Sequence, residues 1–262
     1  MSTTKKSILE TGDRLLKLLE HFTEEKPEWG VAELSKELEL NKSIIHRMLV
    51  TLENRNFLKQ NLETKKYSLG VKLFELGMIV SRQMNLLDVS KSTINDLAEK
   101  TGETVLLEVV SDQESLCVGI KESKQGLKCT SRLGARVPLY AGAPTKVLMA
   151  HLTEAEVDNV IKTGLKKFTE NTITDPDKLK KQLKAIRKKG YSVTYGELDL
   201  GSLAISFPVR NYKGEVAASI SLVGPEFRME EKLDQYIRFC KEAANSISKE
   251  LGYTAVKKSH VL

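Results

Sequence analysis

Ile45, Met48, Leu49 and Leu52 fall at i, i+3, i+4 and i+7, and this stripe constrains the chain more than any other feature. The spacing predicts an amphipathic helix from Lys42 to about Asn54 that buries one side and leaves Lys42, Ser43, Ile44, His46, Arg47 and Val50 on the other. Asn41 stands where a helix N-cap is wanted. Just before it, Val31–Leu38 reads as a short helix with Val31, Leu34 and Leu38 inward, and a brief break at Glu39-Leu40 separates the two. Leu15, Leu18, Leu19 and Phe22 repeat the spacing in an earlier helix, which Pro27, Trp29 and Gly30 separate from the pair. After it, Phe57–Gln60 and Lys66–Leu69 alternate apolar and polar residues around a polar turn at Asn61–Lys65, the pattern of a β-hairpin.

Two short helices in tight succession, the second exposing small polar and basic side chains near its start, predict a helix-turn-helix. The basic hairpin behind it predicts a wing whose Lys59, Lys65 and Lys66 grip phosphates or reach the minor groove. Charge follows the same boundary. Residues 8–40 carry four basic against nine acidic side chains, a balance of −5, and residues 41–72 carry seven against two, a balance of +5. A cationic edge of this kind suits phosphate neutralisation. Individual residues keep two readings: Ser43 as cap or contact, His46 as surface histidine or base reader, Arg47 as ion-pair member or base contact. Arg47 is the favoured base contact, because a guanidinium can bond guanine through two hydrogen bonds. A winged helix can also contact protein instead of DNA.

Composition excludes several other classes. The longest apolar runs, such as Ala217–Ile220, are far too short for a bilayer span, and Met1 to Leu9 holds no apolar segment of a secretory signal. Cys117, Cys129 and Cys240 are odd in number and scattered, so reduced thiols in the cytoplasm are expected, with no disulfide framework and no metal site. No Gly-x-Ser-x-Gly elbow, P-loop or Gly-x-Gly-x-x-Gly turn supports an enzyme, and no cofactor is expected.

The stretch VAELSKELELNKSIIHRMLVTLENRNFLKQNLETKKYSLGVKLFELG resembles the DNA-binding domain of the IclR family of bacterial transcription regulators. Lys42-Ser43, His46-Arg47, Leu49, Leu52-Glu53, Tyr67-Ser68-Leu69-Gly70 and Leu76-Gly77 carry the resemblance. Two positions depart from it. Glu39 stands where the family usually has a turn glycine, a costlier residue at positive φ, and Asn41 replaces the usual proline.

Beyond a helix predicted from Val71 to about Met84 the pattern becomes α/β. Helices are predicted at Val89–Lys100, Pro144–Leu152, after the capping box Thr153–Glu156, at Asp177–Lys189 and from about Met229 to Leu251. Extended segments are predicted at Val105–Val110, Leu116–Ile120, Gly134–Tyr140, Tyr191–Tyr195, Leu203–Arg210 and Val216–Val223, in a mixed sheet with helices on its faces. The lysines of residues 178–189 spread around their helix and read as a solvated face.

The blocks SRLGARVPLYAGAPTKVLMA and IRKKGYSVTYGELDLGSLAISFPVRNYKGEVAASISLVGP resemble the GAF-like effector domain of the same family. The implied fold is α+β, with a winged helix-turn-helix over 1–70, a linker helix over 71–85, an effector-binding and oligomerisation domain over 86–253 and a tail over 254–262. By matching position the resemblance implies an effector site at Gly142, Ala143, Tyr195, Ala204, Ser221 and Val223. Thr194-Tyr195 replaces a frequent acidic pair, Ala204 a frequent cysteine, Val223 a serine, and Thr145 a usual glycine before Lys146. Fewer acceptors and more apolar wall imply a different ligand from those of relatives, larger or less polar. Glu197 and Arg132 read equally as ligand contacts or as structural and solvent-exposed charges. The resemblance implies a regulator, more often a repressor, whose partners are double-stranded operator DNA, a carboxylic acid or sugar-derived metabolite, and further copies of the chain in a homodimer or homotetramer, with no membrane. The alternatives are a ligand-binding dimerisation module whose winged helix meets protein, and a small-molecule enzyme.

Overall fold

The computed structural model describes residues 9–254 except 24, 84 and 130. They form two compact units, divided after Gln83. In the first, helices α1 (Glu10–Glu20), α2 (Val31–Glu37) and α3 (Lys42–Glu53) precede a hairpin of β1 (Leu58–Gln60) and β2 (Tyr67–Leu69), and α4 (Val71–Gln83) follows. Leu18, Leu34, Ile45, Leu49, Leu58 and Tyr67 are buried between these elements. Full burial of one such leucine or isoleucine contributes about 1.5–3 kcal/mol. Trp29 extends the hairpin by exchanging backbone bonds with Tyr67, 3.0 and 2.8 Å.

Local backbone geometry sets the turns. Glu39 sits at φ 52° between α2 and α3, the left-handed conformation that the glycine-to-glutamate departure implies. Asn41 begins α3 but makes no side-chain cap bond. At the wing tip the Asn61 Oδ1 accepts from the amides of Glu63 and Thr64 at 2.9 and 3.1 Å. Gly70 is required where the wing meets α4, because a Cβ there would lie 2.2 Å from the Asn56 carbonyl oxygen.

The second unit holds one six-stranded sheet in the order β5-β4-β3-β8-β7-β6. Its strands are β3 (Thr104–Ser111), β4 (Glu114–Lys121), β5 (Arg136–Pro138), β6 (Ser192–Tyr195), β7 (Ser202–Arg210) and β8 (Val216–Pro225). Every ladder is antiparallel, so the expected mixed sheet is corrected. The reason lies in connection: β3–β4 and β7–β8 are tight hairpins, and β8 returns beside β3.

The helices are α5 (Asn85–Thr101), α6 (Ala143–Met149), α7 (Glu154–Lys162), α8 (Pro176–Lys189), α9 (Glu226–Met229) and α10 (Leu233–Glu250). The predicted closing helix is therefore broken, with a 3-10 turn at Glu230–Lys232 between α9 and α10. Alternation sorts the sheet residues. Val105, Leu107, Leu203, Ile205, Phe207, Ile220 and Leu222 pack against α5 and α10 in one core. The other face carries Thr104, Glu108, Thr194, Ser206, Ser219 and Ser221, all buried. Over that face lies α6, whose Val147, Leu148 and Met149 join a second core with α7 and α8. A sheet face built of small polar groups and roofed by a short helix leaves room for a cavity.

Candidate DNA interface and effector cavity

On α3 the predicted sorting is present in the structure. Ile45, Met48, Leu49 and Leu52 are buried, whereas Lys42, Ser43, His46 and Arg47 are exposed along the opposite side. Among the predicted contact residues, two sit differently. Ile44 is half-buried and packs on the domain core, because its Cβ points along the α3 flank toward the apolar stripe. Lys66 is half-buried with its Nζ 3.5 Å from Glu33 Oε1, which draws it toward α2. Lys59 and Lys65 are exposed on the wing. The cationic edge thus runs from the start of α3 to the wing tip, with groups of the right kind for phosphates and major-groove base edges.

In the second unit, a cavity of about 130 Å³ lies beneath α6. Gly142, Ala204 and Val223 line it, as do Glu108, Cys129, Ser131, Thr194, Glu197 and Asp199. Ala143 and Ser221 are buried beside it: the Ala143 amide donates to Thr194 Oγ1 at 2.9 Å and the Ser221 hydroxyl to Ser206 Oγ at 2.8 Å. Tyr195 is placed elsewhere. It follows Thr194 on β6 and so points to the opposite face, where it packs against the α5–α10 core. Arg132 is exposed and does not line the cavity. Glu108 escaped sequence reading; the available signal was one carboxylate interrupting the apolar run of β3.

The start of α6 is held by charge. Lys146 Nζ lies 2.6 Å from Glu197 Oε1 and 2.7 Å from Gln182 Oε1, with Lys146 fully buried and Glu197 nearly so. The other Glu197 oxygen accepts from the Gly142 amide at 2.9 Å. Gly142 sits at φ 90°, a conformation that favours glycine. Thr169 and Thr172 donate to the carbonyls of Gly196 and Glu197 and fasten the loop that carries this carboxylate. Burial lowers the Lys146 pKa from the usual lysine value, and the Glu197 charge opposes that shift. Burial also pushes the Glu108 carboxyl above the ordinary range, although Ser115 Oγ donates to it at 2.6 Å. The Cys129 thiol is pushed up to about 11 by burial and then by the Asp199 carboxylate, so it stays protonated and unreactive at neutral pH.

A larger groove of about 260 Å³ between α7 and α8 has a charged rim partly closed on itself, with Lys180 Nζ 2.6 Å from Asp158. The cavity under α6 instead presents buried polar groups to an interior space, as ligand sites do.

The winged helix and the roofed antiparallel sheet have counterparts among known proteins. Residues 12–62 match the IclR helix-turn-helix domain, and residues 78–249 match the bacterial transcriptional regulator IclR C-terminal domain. The chain belongs to the IclR family. Its relatives in this family include the HTH-type transcriptional regulator KipR of Bacillus subtilis, 34% identical over 87% of this chain and 92% of that one. The crystal structure of the Thermotoga maritima IclR has a TM-score of 0.75 at 32% identity, covering 93% of this chain and 99% of that one. An IclR homolog complexed with 4-hydroxybenzoate, from Microbacterium hydrocarbonoxydans, has a TM-score of 0.84 at 23% identity, covering 92% and 98%. IclR-family membership makes this chain a DNA-binding transcription regulator and not an enzyme. Among the described residues, no helix is long and apolar enough to cross a membrane.

Proposed function

We propose that the chain is a homo-oligomeric repressor acting in the cytoplasm, which releases its operator when a small metabolite enters the cavity under α6. The observation that carries the reading is the division of α3 into a buried apolar side and an exposed side of Lys42, Ser43, His46 and Arg47. In this reading two copies present α3 to successive major grooves of a pseudo-palindromic site, and Lys59 and Lys65 hold flanking phosphates. Exposed Phe74 and Ile79 on α4 support pairing with a second copy, since an apolar helix side left in water is a cost that a partner removes. That the Microbacterium hydrocarbonoxydans homolog is complexed with 4-hydroxybenzoate supports a small-molecule effector. An effector shifts operator affinity only by binding the two arrangements of the paired winged helices unequally.

Gel-shift titrations of the Arg47→Glu variant on the operator test this, repeated at several salt concentrations. Charge reversal is expected to abolish specific binding, and wild-type affinity is expected to fall steeply with salt. Full binding by the variant, or affinity indifferent to salt, refutes the reading and favours a winged helix that meets protein.

A further inference from the structure

We infer that the effector is an uncharged, polyhydroxylated molecule of free-sugar or sugar-alcohol type, recognised as a hydrogen-bond donor rather than as a carboxylate. The inference rests on the effector reading of the cavity under α6. Among the described residues lining that cavity there is no lysine, arginine or histidine, whereas Glu108, Glu197 and Asp199 all line it. A free carboxylate entering this space would lose its water, find no cation among the described lining residues and lie beside the Asp199 side chain.

Lys146 and the first two amides at the start of α6 are already committed inside the protein. Lys146 points its Nζ at Glu197 and Gln182. The amides of Gly142 and Ala143 at the start of α6 donate to Glu197 and Thr194, and Pro144 has no amide hydrogen to offer. Glu197 therefore occupies, as a built-in carboxylate, the place an acidic ligand would need.

The lining is rich in acceptors. Glu108 is nearly fully buried and accepts from Ser115 through Oε2, leaving Oε1 as an acceptor or, in the protonated acid that burial favours, as part of a carboxyl that both donates and accepts. Ser131 and Asp199 add oxygens on the loop side. Leu106, Val137, Ala204 and Val223 form the apolar part of the wall. A small ring or chain with hydroxyls on its edges and C–H groups on its faces satisfies both kinds of surface, as few other compact metabolites do.

Matched probes that share a carbon skeleton and differ only at C1 test the inference on the full chain: glucose against gluconate, xylose against xylonate, with the sugar alcohols glucitol and xylitol. The uncharged member of at least one set is expected to raise the melting temperature by about 5 °C at a concentration near a hundred times its Kd, and to bind at least about tenfold more tightly than its acid by calorimetry. Ser131→Arg, which puts a cation at the rim, is expected to improve the acid by about tenfold through a charge-assisted bond. A tighter acid in the wild type, or no shift from any uncharged member at about 10 mM, overturns the inference. Operator binding without ligand is read separately in the same preparation, so a regulator that prefers acids is distinguishable from a chain that does not bind DNA.

Discussion

Removing Glu197 tests the electrostatic account of the effector domain most directly. In the Glu197→Ala variant the fully buried Lys146 keeps its Gln182 bond but loses the counter-charge of Glu197, and the Gly142 amide loses its acceptor. Breaking a buried pair from one side costs about 3–5 kcal/mol, and an orphaned buried amide about 1–3 kcal/mol. These effects overlap at one locus, so a loss of about 4–5 kcal/mol is expected, or about 10 °C in the melting temperature of a domain of this size. Lys146→Met with Glu197→Leu removes both charges together and is expected to recover all but about 2 kcal/mol. The pH dependence has a definite sign. Lys146 has a lowered pKa when folded, so above that pKa and below the ordinary lysine value the unfolded state binds more protons and stability rises with pH. Without Glu197 the shift is larger, and the deficit of Glu197→Ala is expected to shrink as pH rises toward the ordinary lysine value. Far-UV circular dichroism follows the effector domain, while Trp29, the single tryptophan, reports the winged helix by fluorescence. A single-variant cost under about 1 kcal/mol, or a double variant as unstable as the sum of its singles, refutes the reasoning.

Three further outcomes are expected. Glu108→Gln replaces a carboxyl whose pKa is raised by burial; the wild type loses stability as pH climbs from the ordinary glutamate value through the raised one, so the variant is expected to show a flatter stability profile and to be the more stable protein at high pH in denaturant titrations. Gly70→Ala forces a Cβ to within 2.2 Å of the Asn56 carbonyl oxygen and is expected to cost about 2–4 kcal/mol in the Trp29 fluorescence transition; an unchanged midpoint would sink the claim that this approach demands glycine. Glu39→Gly relieves a left-handed glutamate at φ 52° and is expected to stabilise the winged helix by up to about 1 kcal/mol after the greater freedom of glycine in the unfolded chain is counted; a loss of stability in the same assay contradicts it.

Periodicity alone determined much of this protein. The i, i+3, i+4, i+7 stripe of α3, the alternation of the wing and the charge reversal near Asn41 are local features, and local features survive in a linear string. The left-handed turn was legible for the same reason, because a single residue, Glu39, decides it. Tertiary structure alone decided the cavity. Glu108 comes from β3, Cys129 and Ser131 from the segment after β4, Gly142 from the start of α6, Glu197 and Asp199 from the loop after β6, and Val223 from β8. Their meeting depends on strand order and on which side of each strand a residue takes. A one-residue difference along β6 separates Thr194 in the cavity from Tyr195 in the opposite core, and the antiparallel order places β3 beside β8. Whether Lys146 greets a ligand or a neighbour was likewise a question of three-dimensional reach, and the neighbour, Glu197, stands 51 residues away in the chain.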